Sequence, residues 1–298
     1  MKKLLFIYNP HSGRGQIKIH LLDMIDVFVK NGYKVIAYPT QYSGDAKRAV
    51  VERDEDIDMI VCSGGDGTLD EVVTGMMQCD RRIPIGYVPA GSTNDFANSL
   101  GIPRSMAKAA EVAMRGKDFA CDIGHFNDDV FVYVAAFGMF TDVSYDTDQQ
   151  LKNVLGHMAY IIEGAKRLPI TTSYHYKIEY EYEGEKTVIE DDYLLGMVTN
   201  SKSVGGFKNI TGKNVNLDDG VYEVTLIRRP RTPLELMEIN SAIERKQVDF
   251  DMVKTFKASR ITFTSNQRIA WTLDGEYGGE HTQVNIINEN KAITIMVP

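Results

Sequence analysis

The stretch Ser63-Gly64-Gly65-Asp66-Gly67-Thr68 carries the residue types for handling phosphate. An apolar run, Ile57 to Cys62, precedes it and a helix-like stretch, Leu69 to Gln78, follows. Strand, glycine-rich turn and helix together aim backbone N–H groups and a helix N-terminus at an anion. Glycines permit positive φ and close backbone approach to a ligand. Asp66 would repel a bound phosphate unless a divalent cation lay between them, so the turn reads as a site for phosphate plus Mg²⁺. The plainer alternative is a tight strand-to-helix turn capped by Asp66.

Two further turns share this chemistry. Asn9-Pro10-His11-Ser12-Gly13-Arg14-Gly15 follows the strand Leu4–Tyr8, and Pro89-Ala90-Gly91-Ser92-Thr93-Asn94-Asp95 follows the strand Ile83–Val88. A strand over Tyr33–Tyr38 and helices beginning near Ile17, Gly44 and Ser105 complete an alternation that predicts parallel βαβ units. In an open parallel sheet ligands bind beyond the carboxyl ends of the strands. The turns after strands one, three and four all fall there.

From about Cys121 the pattern changes. Tyr174, Tyr176, Ile178, Tyr180 and Tyr182 alternate with charged or polar residues, a period of two with one apolar face. Glu183-Gly184-Glu185 reads as a hairpin turn. Further strands are expected near 193–199, 221–227, 255–264, 268–273, 283–287 and 292–297, with helices over about 148–167 and 233–245. This half predicts an antiparallel sandwich or barrel. The tyrosine stripe reads as its core, and His11 as a solvated loop histidine. Taken on their own, Asp274-Gly275 and Asp218-Asp219-Gly220 are turn signals.

The bulk numbers limit the functional classes. A length of 298 residues suits two domains, and 43% hydrophobic with 25% charged residues is ordinary for a globular chain. A net charge of −8 argues against a general nucleic-acid binder. The three cysteines lack a C-x-x-C pair and read as free thiols of a reducing compartment. The first apolar segment is too short for a signal peptide, so a cytoplasmic chain that meets membranes only from the surface is expected.

Gly64-Gly65-Asp66-Gly67-Thr68 followed by Pro89-x-Gly91-Ser92-x-Asn94-Asp95 resembles the catalytic domain of the diacylglycerol kinase family, most of all its soluble bacterial members. Asn9-Pro10 with Ser12-Gly13, Asp122-Ile123-Gly124, Asp218-Asp219-Gly220 and Leu273-Asp274-Gly275-Glu276 fit the same order. Ser92 departs from a usual Thr but keeps the hydroxyl. The glycine turn alone also occurs in NAD kinases and phosphofructokinases.

The resemblance implies an N-terminal, doubly wound parallel-sheet nucleotide-binding domain over 1–122. Residues 290–298 would return to complete it. A C-terminal β-sandwich substrate domain would cover 123–289, with the active site in the cleft between the two. It also implies an ATP-dependent kinase that phosphorylates diacylglycerol to phosphatidic acid. Gly64, Gly65, Gly67 and Thr68 would cradle the phosphates. Asn9, Ser12 and Gly13 would line the other side of the nucleotide, Thr40 would sit near adenine, and Gly91, Ser92 and Asn94 would form a third wall. Asp66 and Asp95 would hold Mg²⁺, with Asp122 in a carboxylate–water network beneath it, and Asp218 and Asp219 would bind a second, structural Mg²⁺. Asp274 would take the proton of the lipid hydroxyl, with Glu276 in support. For Asp122, for Asp218-Asp219 and for Asn94-Asp95, capping and turn roles stand beside these. Arg14, Arg104, Lys166 and Arg167 are candidates for a basic rim facing anionic lipid at the inner membrane face, and a solvated surface is the default for them. The family implies a homodimer, although no interface is legible in the sequence. An NAD or sugar-phosphate kinase, another lipid kinase and a non-catalytic nucleotide-binding regulator are the competing functions.

Overall fold

The computed structural model describes residues 1–138, 173–204, 207–208, 215–232, 234–235, 239 and 251–298. The helix expected over 148–167, with Lys166 and Arg167, lies outside the described residues, as does most of that expected over 233–245. The chain divides into two compact units, Met1–Asp122 with Lys291–Pro298, and Ile123–Asn290.

In the first unit, β1 (Lys2–Tyr8) pairs in parallel with β2 (Tyr33–Pro39) on one side and β3 (Met59–Gly64) on the other. β4 (Ile85–Pro89) pairs in parallel with β3. The crossovers are α1 (Gln16–Lys30), α2 (Asp45–Val51) and α3 (Asp66–Met77); α4 (Asp95–Ser99) and α5 (Met106–Arg115) follow β4. α1 packs on α5 and α2 on α3. Strand order thus runs in one direction from β1 to β2 and in the other from β1 through β3 to β4. This places a topological switch point between β1 and β3, where ligands of such sheets bind. β3 and β4 are buried at every residue, as strands covered on both faces must be. The core includes Phe6, Phe28, Val61, Tyr87 and Phe96.

β5 (Lys117–Phe126) carries the chain into the second unit, and β15 (Glu276–Val297) brings it back. β15 is one strand of 22 residues, so the two strands expected at 283–287 and 292–297 are a single element. Its end pairs in parallel with β4, Ile295 opposite Ile85.

The second unit is antiparallel. Its strands are the remainder of β5, β6 (Asp129–Phe131), β7 (Val134–Gly138), β8 (Tyr174–Tyr182), β9 (Glu185–Thr199), the short pair β10 (Ser203–Val204) and β11 (Phe207–Lys208), β12 (Tyr222–Arg228), β13 (Val253–Ala258), β14 (Arg260–Leu273) and most of β15. β8 and β9 form a hairpin whose loop residues, Glu183 (φ 51°) and Gly184 (φ 82°), both take the left-handed conformation that suits strand twist. β14 is continuous where two strands were expected, and Ser259 separates it from β13. β14 pairs β8 through residues 260–264 and β7 through 271–273, while β9 does the same along its own length. Tyr174, Tyr176 and Ile178 enter a core built around Phe137, Phe263 and Trp271. The Trp271 indole N–H donates to the Tyr176 hydroxyl at 3.1 Å, satisfying a buried donor.

Candidate active site

The turns after β1, β3 and β4 converge. Asn9 N donates to Ser63 O at 2.9 Å, and Ala90 N donates to Gly64 O at 2.7 Å. Gly13 sits at φ 62°, and a Cβ built there would lie 2.7 Å from Ala90 O. A Cβ on Gly91 would lie 2.8 Å from Gly65 Cα. The glycines therefore let three backbone segments approach more closely than any side chain would allow.

α3 begins in this knot. Its N-cap, Gly65, offers no side-chain cap, and the next residue is Asp66. Leading N–H groups of a helix are unsatisfied unless capped or bound to a ligand, and they carry the positive end of the dipole. Asp66 is half-buried, and its Oδ2 accepts from Asp95 N at 3.3 Å, tying the second turn to the third. Asp95 is buried at the start of α4. Beneath them, burial pushes the Tyr87 phenol up, and the Asp66 charge adds to the shift. Tyr87 Oη donates to Gly64 O at 3.3 Å.

Asn94 takes φ 52° and closes a ring with Gly91: its Oδ1 accepts from Gly91 N at 2.9 Å and its Nδ2 donates to Gly91 O at 2.7 Å. Its side chain shapes the third turn and makes no cap bond to α4. Asn9 Oδ1 likewise accepts from His11 N, at 2.9 Å, and shapes the first turn. Ser92 is exposed beside this ring, and Thr68 is buried against Gly64.

Thr40 N donates to Tyr8 O at 2.9 Å, which places Thr40 just beyond the paired ends of β1 and β2. Two carboxylates absent from the expected site fix the segment after it. Buried Asp45 accepts from Gln41 N at 2.8 Å and from the Tyr38 hydroxyl at 2.9 Å, and it pairs with Arg48. Burial works to raise the Asp45 carboxyl, but these bonds outweigh it and leave the carboxyl below its usual value. Glu71 of α3 accepts from Gly44 N at 2.8 Å and from Ala46 N at 3.0 Å, capping α2 from a distance in sequence. A carboxylate in α3 and a Gly N-cap on α2 were the only traces of this in the sequence.

Asp122, fully buried in β5, accepts from Lys291 N at 2.7 Å and so fastens the returning strand. Asp66 and Asp95 offer hard oxygen donors of the kind Mg²⁺ takes, commonly one or two carboxylates completed by waters and substrate phosphates. Among the described residues no group of three or more His, Cys, Asp or Glu is arranged around a metal position, at this site or at Asp218 and Asp219. Asp219 instead accepts from Lys257 Nζ at 3.0 Å.

In the second unit, Asp274 occupies the turn between β14 and β15 at φ 50°, and it is buried. Its carboxylate accepts from the backbone N–H groups of Val132, Tyr133 and Val134. Its own N–H donates to Val134 O at 2.8 Å. Glu276, two residues on, is exposed.

The model of the diacylglycerol kinase catalytic domain family matches residues 3–126, which contain all three converging turns. The chain belongs to the diacylglycerol kinase family. A second model, the YegS C-terminal NAD kinase beta sandwich-like domain, matches residues 134–297. A diacylglycerol kinase of Bacillus subtilis (strain 168) is 34% identical over 94% of this chain and 91% of its own length. One from Staphylococcus carnosus (strain TM300) is 34% identical over 100% of this chain and 95% of its own. A crystal structure of a diacylglycerol kinase from Bacillus anthracis (strain Sterne) superposes with a TM-score of 0.83 at 26% identity, covering 100% of this chain and 97% of that one. The diacylglycerol kinase family thus accounts for a kinase with ATP as the phosphate donor and for the β-rich second half. Among the described residues no helix is long and apolar enough to cross a membrane.

Proposed function

We propose that the chain transfers the γ-phosphate of ATP to the free hydroxyl of diacylglycerol at a membrane surface, giving phosphatidic acid in a Mg²⁺-dependent reaction. The observation that carries this reading is the three-turn cradle, in which Gly91 lies against Gly65 at the N-terminus of α3, Gly13 lies against Ala90, and Asp66 is bonded to Asp95 N. Such transfers need positioning and charge neutralisation more than covalent help from the protein.

In this reading Gly64, Gly65, Gly67 and Thr68 hold the phosphates, with Asn9, Ser12 and Gly13 on one side and Gly91 and Ser92 on the other. Asn94 acts through Gly91, and Thr40 faces the base. Asp66 and Asp95 would hold Mg²⁺, which when bound neutralises charge on the transferring phosphate. Asp122 keeps the neighbouring strand in register. Asp274 takes the hydroxyl proton as the new P–O bond forms, and its backbone clamp fixes its position for that step. Glu276 is the exposed partner carboxylate beside it.

The test is an assay with labelled ATP and Mg²⁺ against dispersed diacylglycerol, other lipid alcohols and NAD. Label in phosphatidic acid is the expected outcome. Label in NAD phosphate alone, with none in any lipid, would overturn the reading.

A further inference from the structure

The nucleotide site as proposed is short of positive charge. A nucleotide triphosphate is strongly anionic, and Asp66 and Asp95 add to that charge. None of the residues placed around the phosphates is a lysine or an arginine. Mg²⁺ offsets part of the charge. Phosphoryl-transfer sites commonly add a side-chain cation that meets the phosphates directly.

A candidate cation stands beside the third turn. Between α1 and α5 lies a cavity of about 270 Å³, lined by Gln16, His20 and Arg104 and continuous with Gly13, Gly91 and Ser92 of the cradle. No acid is among the residues that line it. Arg104 is exposed, and its guanidinium has no hydrogen-bond or ion-pair partner among the described residues. A guanidinium is a planar fork of donors that fits phosphate oxygens.

The sheet adds a second, independent observation on the same side. A Cβ on Gly86 would lie 2.6 Å from Ala113 Cβ of α5 and 3.1 Å from Val61 Cγ2, so Val61 faces α5. Ser63, two residues beyond Val61, faces the same way. It is fully buried at the end of β3, and its hydroxyl has no hydrogen-bond partner among the described residues. Unpartnered buried hydroxyls are uncommon, and at a binding site a ligand or its water is the ordinary partner.

Strand order selects the part of the nucleotide that reaches this cavity. The order is β2-β1-β3-β4, with Thr40 just after β2 and Gly91 and Ser92 just after β4. A nucleotide lying across the strand ends with its base at Thr40 has the phosphates furthest from the ribose at the turn after β4. We infer that Arg104 is a further nucleotide-binding residue, which meets these distal phosphates from the cavity between α1 and α5. The inference rests on the proposed use of ATP and supplies the cation that the site otherwise lacks.

The test is calorimetric titration of the full-length parent, Arg104→Gln and Arg104→Lys with ATP and with AMP, each with Mg²⁺. Arg104→Gln should weaken ATP about tenfold to a hundredfold, the range of a hydrogen bond to a charged group, and leave AMP within about twofold. Retained AMP binding also reports an intact fold. Arg104→Lys should recover part of the loss, because the charge returns without the fork. Unchanged ATP affinity in Arg104→Gln would overturn the assignment, as would a parent that binds no ATP. Equal weakening of ATP and AMP would also overturn it, by reducing Arg104 to a structural role. The lipid assay on the parent keeps the two readings apart. A parent whose ATP binding depends on Arg104 but which labels no lipid upholds this assignment and removes the proposed function. A parent that labels phosphatidic acid while Arg104→Gln binds ATP normally does the reverse.

Discussion

Two Asp-Gly turns in this molecule handle a carboxylate in opposite ways. Asp66-Gly67 opens α3, and Asp66 Oδ2 accepts from Asp95 N at 3.3 Å, at the positive end of the helix. Asp274-Gly275 joins two antiparallel strands, and Asp274 is held by three consecutive backbone N–H groups of residues 132–134. In the proposed reaction the first carboxylate would meet the charge that arrives with the substrate. The second is spent largely on the protein itself, fastening the segment before β7 to the β14–β15 turn. Residue type and the following glycine are the same in both. What differs is whether the amides around the carboxylate belong to a ligand-ready helix end or to a chain segment that would otherwise be unsatisfied.

The comparison makes Asp66→Asn the substitution of largest expected effect. It keeps the shape and removes the charge, and turnover should fall by roughly 10³–10⁵, the range of a single charge-neutralising group in phosphoryl transfer. The melting temperature should move little, because asparagine keeps the shape and an oxygen able to accept from Asp95 N. A large drop in melting temperature with near-normal turnover would place Asp66 with the structural carboxylates.

Asp274→Asn should act on both properties. Asparagine tolerates the positive φ, but its amide nitrogen cannot accept from the amides that converge there. Leaving a buried donor without its acceptor costs about 1–3 kcal/mol, a few degrees in melting temperature for a unit of this size. If Asp274 is also the proton acceptor, kcat on soluble diacylglycerol falls by roughly 10²–10⁴ while the affinity for ATP holds. A destabilised enzyme with unchanged kcat would confine Asp274 to its clamp and move the base to Glu276, which Glu276→Gln would then reveal.

Gly91→Ala probes the cradle without touching a charge. The added Cβ meets Gly65 Cα and Asn94 Oδ1, each at 2.8 Å, so the second and third turns must separate. Overpacking of this kind costs about 1–3 kcal/mol, and a rise of roughly tenfold to a hundredfold in KM for ATP is expected. Unaltered ATP kinetics would show that the spacing of these turns does not matter for the nucleotide.

What was legible in the sequence follows from the range of the interactions. The alternation of β1 to β4 with helices, the three glycine turns and the Tyr174–Ile178 stripe are local patterns, and each is found in the structure. The Asp274 clamp joins residues about 140 positions apart, and no local pattern encodes it. The length of β15 was hidden because Asn288-Glu289-Asn290-Lys291 reads as a loop; the strand keeps its course there while Asp122 receives Lys291 N. Asn94 resembles a helix cap in sequence, yet its amide turns back to Gly91.

β12 shows the same limit and supplies the smallest predicted effect. Alternation along Tyr222-Glu223-Val224-Thr225 would send Glu223 and Thr225 to solvent, yet they are only 5% and 3% exposed. Burial pushes the Glu223 carboxyl up to about 7, with Lys257 Nζ, 3.4 Å away, working against the shift. Lys257 is shared with Asp219, and its ammonium is raised: burial lowers it, but these two carboxylates more than compensate. A carboxyl raised in the folded state favours folding when protonated. It costs nothing below its ordinary value of 4.5, and its penalty grows until the pH passes about 7. Glu223→Gln removes that penalty while keeping the shape. The variant should therefore melt above the parent at pH 8, by an amount equivalent to ~1–3 kcal/mol, and the gap should close as pH falls toward 5. A variant less stable than the parent at pH 8 would mean that the Lys257 pair outweighs the burial of Glu223, making this carboxylate a structural asset like Asp274.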